Sequence, residues 1–303
     1  MTRRGLILFA LMAVIWGIPY LFIRIVVAEL SPAVLVFLRT AIATAILLPL
    51  ALARYDLRPL LGRWPWLVGF AAIGIGIPWV FLGSAEQKIS SSLAGLLIAG
   101  VPLVGTILAL ATGGSDRLGM AGLVGLLIGL AGVAAIVGGD LSTTDPLAYL
   151  EILVVVIGYA VGPAILARRL GGLPSLPIMA VSLAGTAILY APIAALQWPS
   201  TMPSLNVVLA LAILGTVCTA AAFLVFADLI AEIGPVRATV ITYVNPAVAA
   251  VLGVLVLGEA FTPAMGLGFL LVIAGSALAT RPGRQAVSAT VPALRAEPAA
   301  QER

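Results

Sequence analysis

Long apolar runs separated by short polar intervals set the pattern of this chain. Between charges, caps and Gly/Pro turns, ten stretches approach the roughly 20 residues that cross a hydrocarbon core. The first half holds Gly5–Ala28, Pro32–Leu52, Trp64–Ser84, Ser90–Thr112 and Leu118–Gly138. The second holds Pro146–Ala167, Leu176–Leu196, Leu205–Ile230, Ala238–Leu257 and Pro263–Thr280. The runs are too long, and alternate too little, for the strands of a membrane barrel. They predict an all-α polytopic membrane protein with ten transmembrane helices. Met1-Thr2-Arg3-Arg4 before an apolar run imitates a secretion signal, but that run carries Arg24 and leads into nine more, so it reads as a retained first helix.

Composition agrees. Of 303 residues, 62% are apolar and 9% charged, against roughly 45–50% and 25% in soluble domains, and mean hydropathy is +1.20. Histidine is absent and Cys218 is the single cysteine. This removes the usual proton shuttle, an intrachain disulfide and a multi-Cys metal cluster, so neither metal nor cofactor is expected. No dinucleotide-binding or phosphate-loop glycine motif is present. An enzyme would lack a catalytic constellation.

Charge placement sets the orientation. With a cytoplasmic N-terminus, Arg3, Arg4, Arg54, Arg58, Arg63, Arg117, Arg168, Arg169, Arg237, Arg281, Arg284, Arg295 and Arg303 all fall on one side, and Lys88 alone falls on the other. Arg24 and Arg39 lie within spans, in the outer third. The positive-inside rule then places both termini in the cytoplasm, as expected of a multi-pass protein of the bacterial inner membrane. The net charge of +4 follows from that bias and implies no nucleic-acid partner. The tail 282–303, rich in Ala, Pro and Arg, is expected to be disordered and cytoplasmic.

An internal repeat is the most informative feature. Pro19 recurs as Pro163, Pro59 as Pro203 and Pro102 as Pro246, each 144 residues apart. Arg24 and Arg168, Gly114 and Gly258, and Gly122 and Gly266 share the offset, while Pro49 with Pro192 and Gly132 with Gly275 fall one short of it. Residues 1–142 and 143–281 thus form two five-helix repeats. An odd number of helices inverts the second copy in the membrane, an organisation used by transporters whose halves rock about a central site.

Trp16-Gly17 in the first span, Phe37-Leu38-Arg39 opening the second, Gly258-Glu259 before the last and the Ala-rich spans around Pro102 and Pro246 resemble the EamA family of the drug/metabolite transporter superfamily, over residues 5–281. Among its members the chain is most similar to YddG-type amino-acid exporters. The resemblance implies movement of a small metabolite or drug across the inner membrane. It also implies a central cavity lined by helices 1–4 and 6–9 and braced by helices 5 and 10. One departure is visible: Ser182 or its neighbours stand where a second-half counterpart of Arg39 would fall.

Candidate substrate residues are large or polar groups that spanning does not require. Trp16, Tyr20 and Arg24 share one face of the first helix; Trp79 follows Pro78 in the third; Tyr243 and Asn245 precede Pro246 in the ninth. Tyr159, Phe223 and Phe226 are further aromatics at depth. For the aromatics the alternative is packing, and for Asn245 an interhelical hydrogen bond. Pro19, Pro78, Pro102, Pro163 and Pro246 are candidate kinks or gates, because a midspan proline frees a carbonyl. Arg24 and Arg39 either snorkel, pair with Glu29, Glu86 or Glu151, or hold a substrate carboxylate. No Asp or Glu lies near a midplane, which points to transport without obligatory proton coupling; Asp228 and Glu232 are the residues that would reverse this. The expected partner, besides the bilayer, is a small zwitterion with an apolar or aromatic side chain, exported by alternating access through a monomer. A multidrug or organic-cation exporter is the alternative, and it would need an acidic cavity.

Overall fold

A computed structural model describes residues 2–111, 120–138, 145–234, 238 and 241–279. The tail 282–303, Gly114 and Arg117, Arg237 and the arginines from 281 onward lie outside the described residues. Every helix expected from the apolar pattern is present, and no strand occurs among the described residues. The order is α1 (Arg3–Val27), α2 (Pro32–Arg54), α3 (Trp64–Glu86), α4 (Ser91–Ile98 and Val101–Ala111), α5 (Met120–Gly138), α6 (Pro146–Arg169), α7 (Ser175–Leu196), α8 (Leu205–Ile233), α9 (Ile241–Leu257) and α10 (Pro263–Ala279). The first eight are long and apolar enough to cross a membrane, and α9 and α10 are shorter apolar helices.

The helix starts are written into the loops. Ser31, Ser90, Asp145 and Ser204 each take an extended conformation and accept a backbone N–H of the first turn, from Val34, Leu93, Leu147 and Val207. Pro32 and Pro146 follow directly, where a missing N–H costs nothing. Inside the spans the irregularities are local. α1 breaks at Ile18, just before Pro19, and α4 breaks at Ala99–Gly100, just before Pro102. Pro78 starts a regular segment of α3, whereas Pro163 and Pro246 lie inside continuous helices.

A π-helical turn interrupts α3 at Ala71–Gly76 and α8 at Thr216–Ala221, corresponding places in the two halves. Such turns misalign backbone carbonyls, and side chains compensate. Tyr190 Oη donates to Gly76 O at 3.0 Å, and Thr219 Oγ1 donates to Leu214 O at 2.7 Å.

The packing is symmetric under exchange of the halves. α2 lies along α7, α5 along α10, and α4 against α9, each pairing a helix with its own repeat partner. α3 packs on α6 and α8 on α1, contacts that interchange under the same operation. Two inverted repeats meeting through one self-complementary surface give this pattern. The α5–α10 seam is the tightest: a Cβ on Gly275 would lie 2.3 Å from Gly129 N, and one on Gly132 2.6 Å from Gly268 O. Without a hydrophobic drive between helices in lipid, such close backbone approach supplies the association.

One end of the bundle joins Arg4 to Glu232 at 3.6 Å and Arg63 to the Arg169 carbonyl at 2.5 Å. The opposite, far end carries a latch between the repeats. Gly258, at φ +67°, ends α9, and Glu259 then accepts from Ser91 N and Oγ at 2.8 and 2.9 Å and from Ser92 N and Oγ at 2.8 and 2.6 Å. A Cβ on Gly253 would lie 2.2 Å from both Glu259 Oε2 and Ser92 Oγ, so glycine is needed there. Burial alone would raise the Glu259 carboxyl; the bonds from Ser92 and Ser91 outweigh it and hold it below the ordinary carboxylate range. A carboxyl depressed on folding stabilises the fold above that range, and the contribution fades as pH falls through the depressed value. In detergent, Glu259→Gln is therefore expected to melt below wild type at neutral pH, with the gap closing below about pH 4. A gap independent of pH would contradict the ionised latch.

Candidate functional site

α2 carries Arg39 two turns in from Ser31, and the side chain is only 6% exposed. Its Cζ lies 3.8 Å from the centre of the Trp79 ring on α3. Its Nε–H donates to Thr219 Oγ1 on α8 at 2.9 Å, the same hydroxyl that answers the π turn. Tyr20 of α1, Tyr159 of α6 and Cys218 of α8 lie within electrostatic reach of the guanidinium. Five helices from both halves therefore converge on one buried cation.

The placement has a chemical consequence. A guanidinium offers five N–H donors in a planar fork. Nε–H is spent on Thr219, and Trp79 fixes the plane by a cation–π contact. The remaining four donors belong to the terminal nitrogens, the pair that meets a carboxylate in bidentate fashion. Tyr159 lies close to both the Trp79 indole and Arg39, adding a hydroxyl beside the fork.

Arg24 is half-buried on α1, and its Nη1 donates to the Glu86 backbone carbonyl at the end of α3. The Glu86 side chain is 0% exposed. Lys88 pairs instead with Glu151 of α6, at 2.6 Å. Arg24 is thus a clasp within the first half, and Arg39 is the charge at the junction.

The other expected residues assemble elsewhere. Trp16 packs its ring on Phe226 of α8, with centroids 4.6 Å apart, in an apolar cluster with Met12, Leu229 and Ile241. Asn245 is buried, and its amide, oriented to reach acceptors, donates to Ala13 O at 3.2 Å and Ile241 O at 3.0 Å, an interhelical bond from α9 to α1. Tyr243 is half-buried on α9. Asp228 is exposed, and Glu232 is held by Arg4 and Thr2.

A recess of about 190 Å³ between Leu30, Val34, Leu38 and the Trp198–Pro203 loop opens at the far end. An apolar groove of about 360 Å³ runs between Val14, Ile18 and Val248 at the α1 break. Neither is lined by the Arg39 group, which is enclosed in this conformation.

Comparison with known proteins bears on this arrangement. The model of the EamA-like transporter family matches residues 3–138 and again residues 146–281, one match per repeat. The chain belongs to the EamA-like transporter family. It is 30% identical over 283 residues to the uncharacterized inner membrane transporter YedA of Escherichia coli (strain K12), covering 90% of this chain and 89% of that one. YedA of strain O157:H7 matches to the same extent. A crystal structure is also similar, with a TM-score of 0.66 and 26% identity over 92% of this chain and 98% of that chain. The protein is a membrane transporter of this family, and the EamA motifs noted in the sequence acquire physical roles. Gly258-Glu259 forms the far-end latch, Arg39 supplies the junction charge, and Gly17 brings α1 within touching distance of Val248 on α9.

Sequence reasoning named Glu86 only as one of three possible partners for Arg24 or Arg39, and it missed Thr219. Glu86 sits at a span edge, where a carboxylate normally faces water, and Thr219 resembles the many threonines that only bond their own backbone. The Arg39–Trp79 contact makes a separable expectation. Trp79→Leu removes a cation–π partner worth about 0.5–2 kcal/mol and is expected to lower the melting temperature in detergent, while Trp79→Phe recovers part of the loss. Equal melting of Leu and Phe variants would leave the ring as mere filler.

Proposed function

We propose that this EamA-like transporter exports small zwitterionic metabolites, foremost amino acids with apolar or aromatic side chains, from the cytoplasm by alternating access between its two repeats. The observation that carries the reading is Arg39, a buried guanidinium laid on Trp79 and tied to Thr219 across the junction of the halves. A substrate carboxylate takes its terminal N–H groups, and Trp79, Tyr20 and Tyr159 offer aromatic surface to an apolar side chain. Trp16, Tyr243 and Asn245 lie along the α1–α8–α9 side of the same bundle and line the path when it opens toward the cytoplasm. Arg24 sets the outer boundary of the site.

The hinges in this mechanism are the α1 break at Pro19 and the α4 break at Pro102. Pro78, Pro163 and Pro246 supply secondary flex. α5 and α10, locked by glycine, brace the moving helices, and a monomer suffices because both repeats lie in one chain. Thirteen arginines on one side favour cytoplasmic termini. An organic-cation substrate is disfavoured by two guanidiniums near one carboxylate.

Purified protein in liposomes, loaded with a panel of labelled amino acids and organic cations, tests the proposal. Efflux of phenylalanine- or leucine-like substrates is expected. Arg39→Lys keeps the charge but loses the fork, and is expected to slow efflux about tenfold or more, the cost of one charged hydrogen bond. Efflux of cations only, or of amino acids with Arg39→Lys at full rate, would overturn it.

A further inference from the structure

Glu86 is the last residue of α3, yet its side chain is fully buried and neither Oε1 nor Oε2 has a hydrogen-bond partner. Its surroundings supply charge, but no donor bonds to either oxygen. The charged and titratable groups within electrostatic reach of it are Arg24 and Tyr20 from α1, Arg39 from α2, Tyr159 from α6 and, at the far end, Glu259. Each is engaged elsewhere or offers no bond. The Arg24 Nη1 goes to the Glu86 backbone carbonyl, Arg39 rests on Trp79 and Thr219, and Glu259 is bound by Ser91 and Ser92. On α6 the other titratable group, Glu151, is paired with Lys88.

A structural ion pair would close the bonds of both partners, and a packing residue would be apolar. Glu86 does neither. An ionised carboxylate bare of donors inside a bundle is the costliest arrangement available to it. A bound proton removes that cost in the closed state. A cationic group delivered from outside the protein removes it in another state.

We infer that Glu86 is a proton site linked to transport: it holds a proton in the empty, closed protein and exchanges it for the ammonium group of the substrate. This rests on the zwitterion reading above and deepens it. The step balances without a further reactant. The neutral carboxyl releases one proton to the water of the cytoplasmic side, the resulting carboxylate pairs with the substrate ammonium, and Arg39 takes the substrate carboxylate. On the outer side a proton returns to Glu86 and the ammonium is released. Export is then driven by inward proton movement, one for each substrate, and this replaces the uncoupled mechanism expected from the sequence.

Liposomes containing the full chain and labelled L-phenylalanine test the coupling with three readings: exchange against unlabelled phenylalanine without a pH gradient, net efflux with the outside more acidic, and an internal pH dye. Wild type is expected to exchange, and an outside pH lower by about one unit is expected to shift the final inside-to-outside ratio about tenfold toward export. A phenylalanine gradient alone should move protons into the liposomes. Glu86→Gln should weaken phenylalanine exchange, because the ammonium loses its charged partner, and should abolish both the pH response and the dye signal of the flux that remains. Exchange without any proton movement in wild type overturns the coupling and leaves the zwitterion reading standing, as does a pH response retained by Glu86→Gln. Absence of phenylalanine exchange in wild type overturns both. If Glu86→Gln fails to fold, the wild-type dye signal still decides.

Discussion

A guanidinium charge enclosed at the junction of two membrane-embedded repeats is the constraint on which the rest depends. Placing such a group in a span costs about 2.5–3.5 kcal/mol at the helix centre on insertion scales and less in the outer third where Arg39 lies, and the protein offsets this with specific neighbours. Trp79 offers its ring face, Thr219 a hydroxyl, and Tyr159 and Tyr20 further polar edges. These come from both halves, so the charge is settled only when the halves meet. The π turn in α8 belongs to the same solution, because it presents Thr219 with a carbonyl to satisfy while the hydroxyl accepts from Arg39.

Around that junction the fold divides into tightly packed and interrupted parts. The α5–α10 seam, with glycine backbones in contact, is rigid by sterics. The far end is held by the Glu259 latch, whose two serines begin α4 and whose glutamate follows α9, a repeat-paired set of helices. The regular helix is interrupted elsewhere, before Pro19 in α1 and before Pro102 in α4. The halves are nearly but not fully symmetric. Ser182 stands near the place an inverted copy of Arg39 would take, and it is buried with its hydroxyl unpartnered.

Much of this was legible in the sequence for a plain reason. Lipid forces every spanning segment to bond its own backbone, so length and polarity mark helices strongly. The repeat offset marked the two family matches, while of the midspan prolines Pro19 and Pro102 stand at helix breaks and Pro163 and Pro246 lie inside continuous helices. Burial of single polar groups was not legible, because it depends on which faces meet. Arg39 and Trp79 were both candidates, yet nothing in their spacing says that one lies on the other. Glu86 stood in the sequence as one of three possible partners for the arginines, and its full burial comes from packing that the sequence does not display. Trp16 and Asn245 lie in the α1–α8–α9 seam, where one packs on Phe226 and the other makes an interhelical hydrogen bond, partners that spacing along one helix does not reveal.

The single native thiol reports on the central claim. Cys218 is 2% exposed and lies within electrostatic reach of Arg39, at the residue before Thr219. Its alkylation by a small maleimide in liposomes, followed with and without saturating L-phenylalanine, reads whether substrate occupies this junction. Slow labelling whose rate changes several-fold with phenylalanine, and loses that change in Arg39→Lys, is the result expected. Labelling indifferent to a substrate that is demonstrably transported would place the pathway elsewhere and contradict the account.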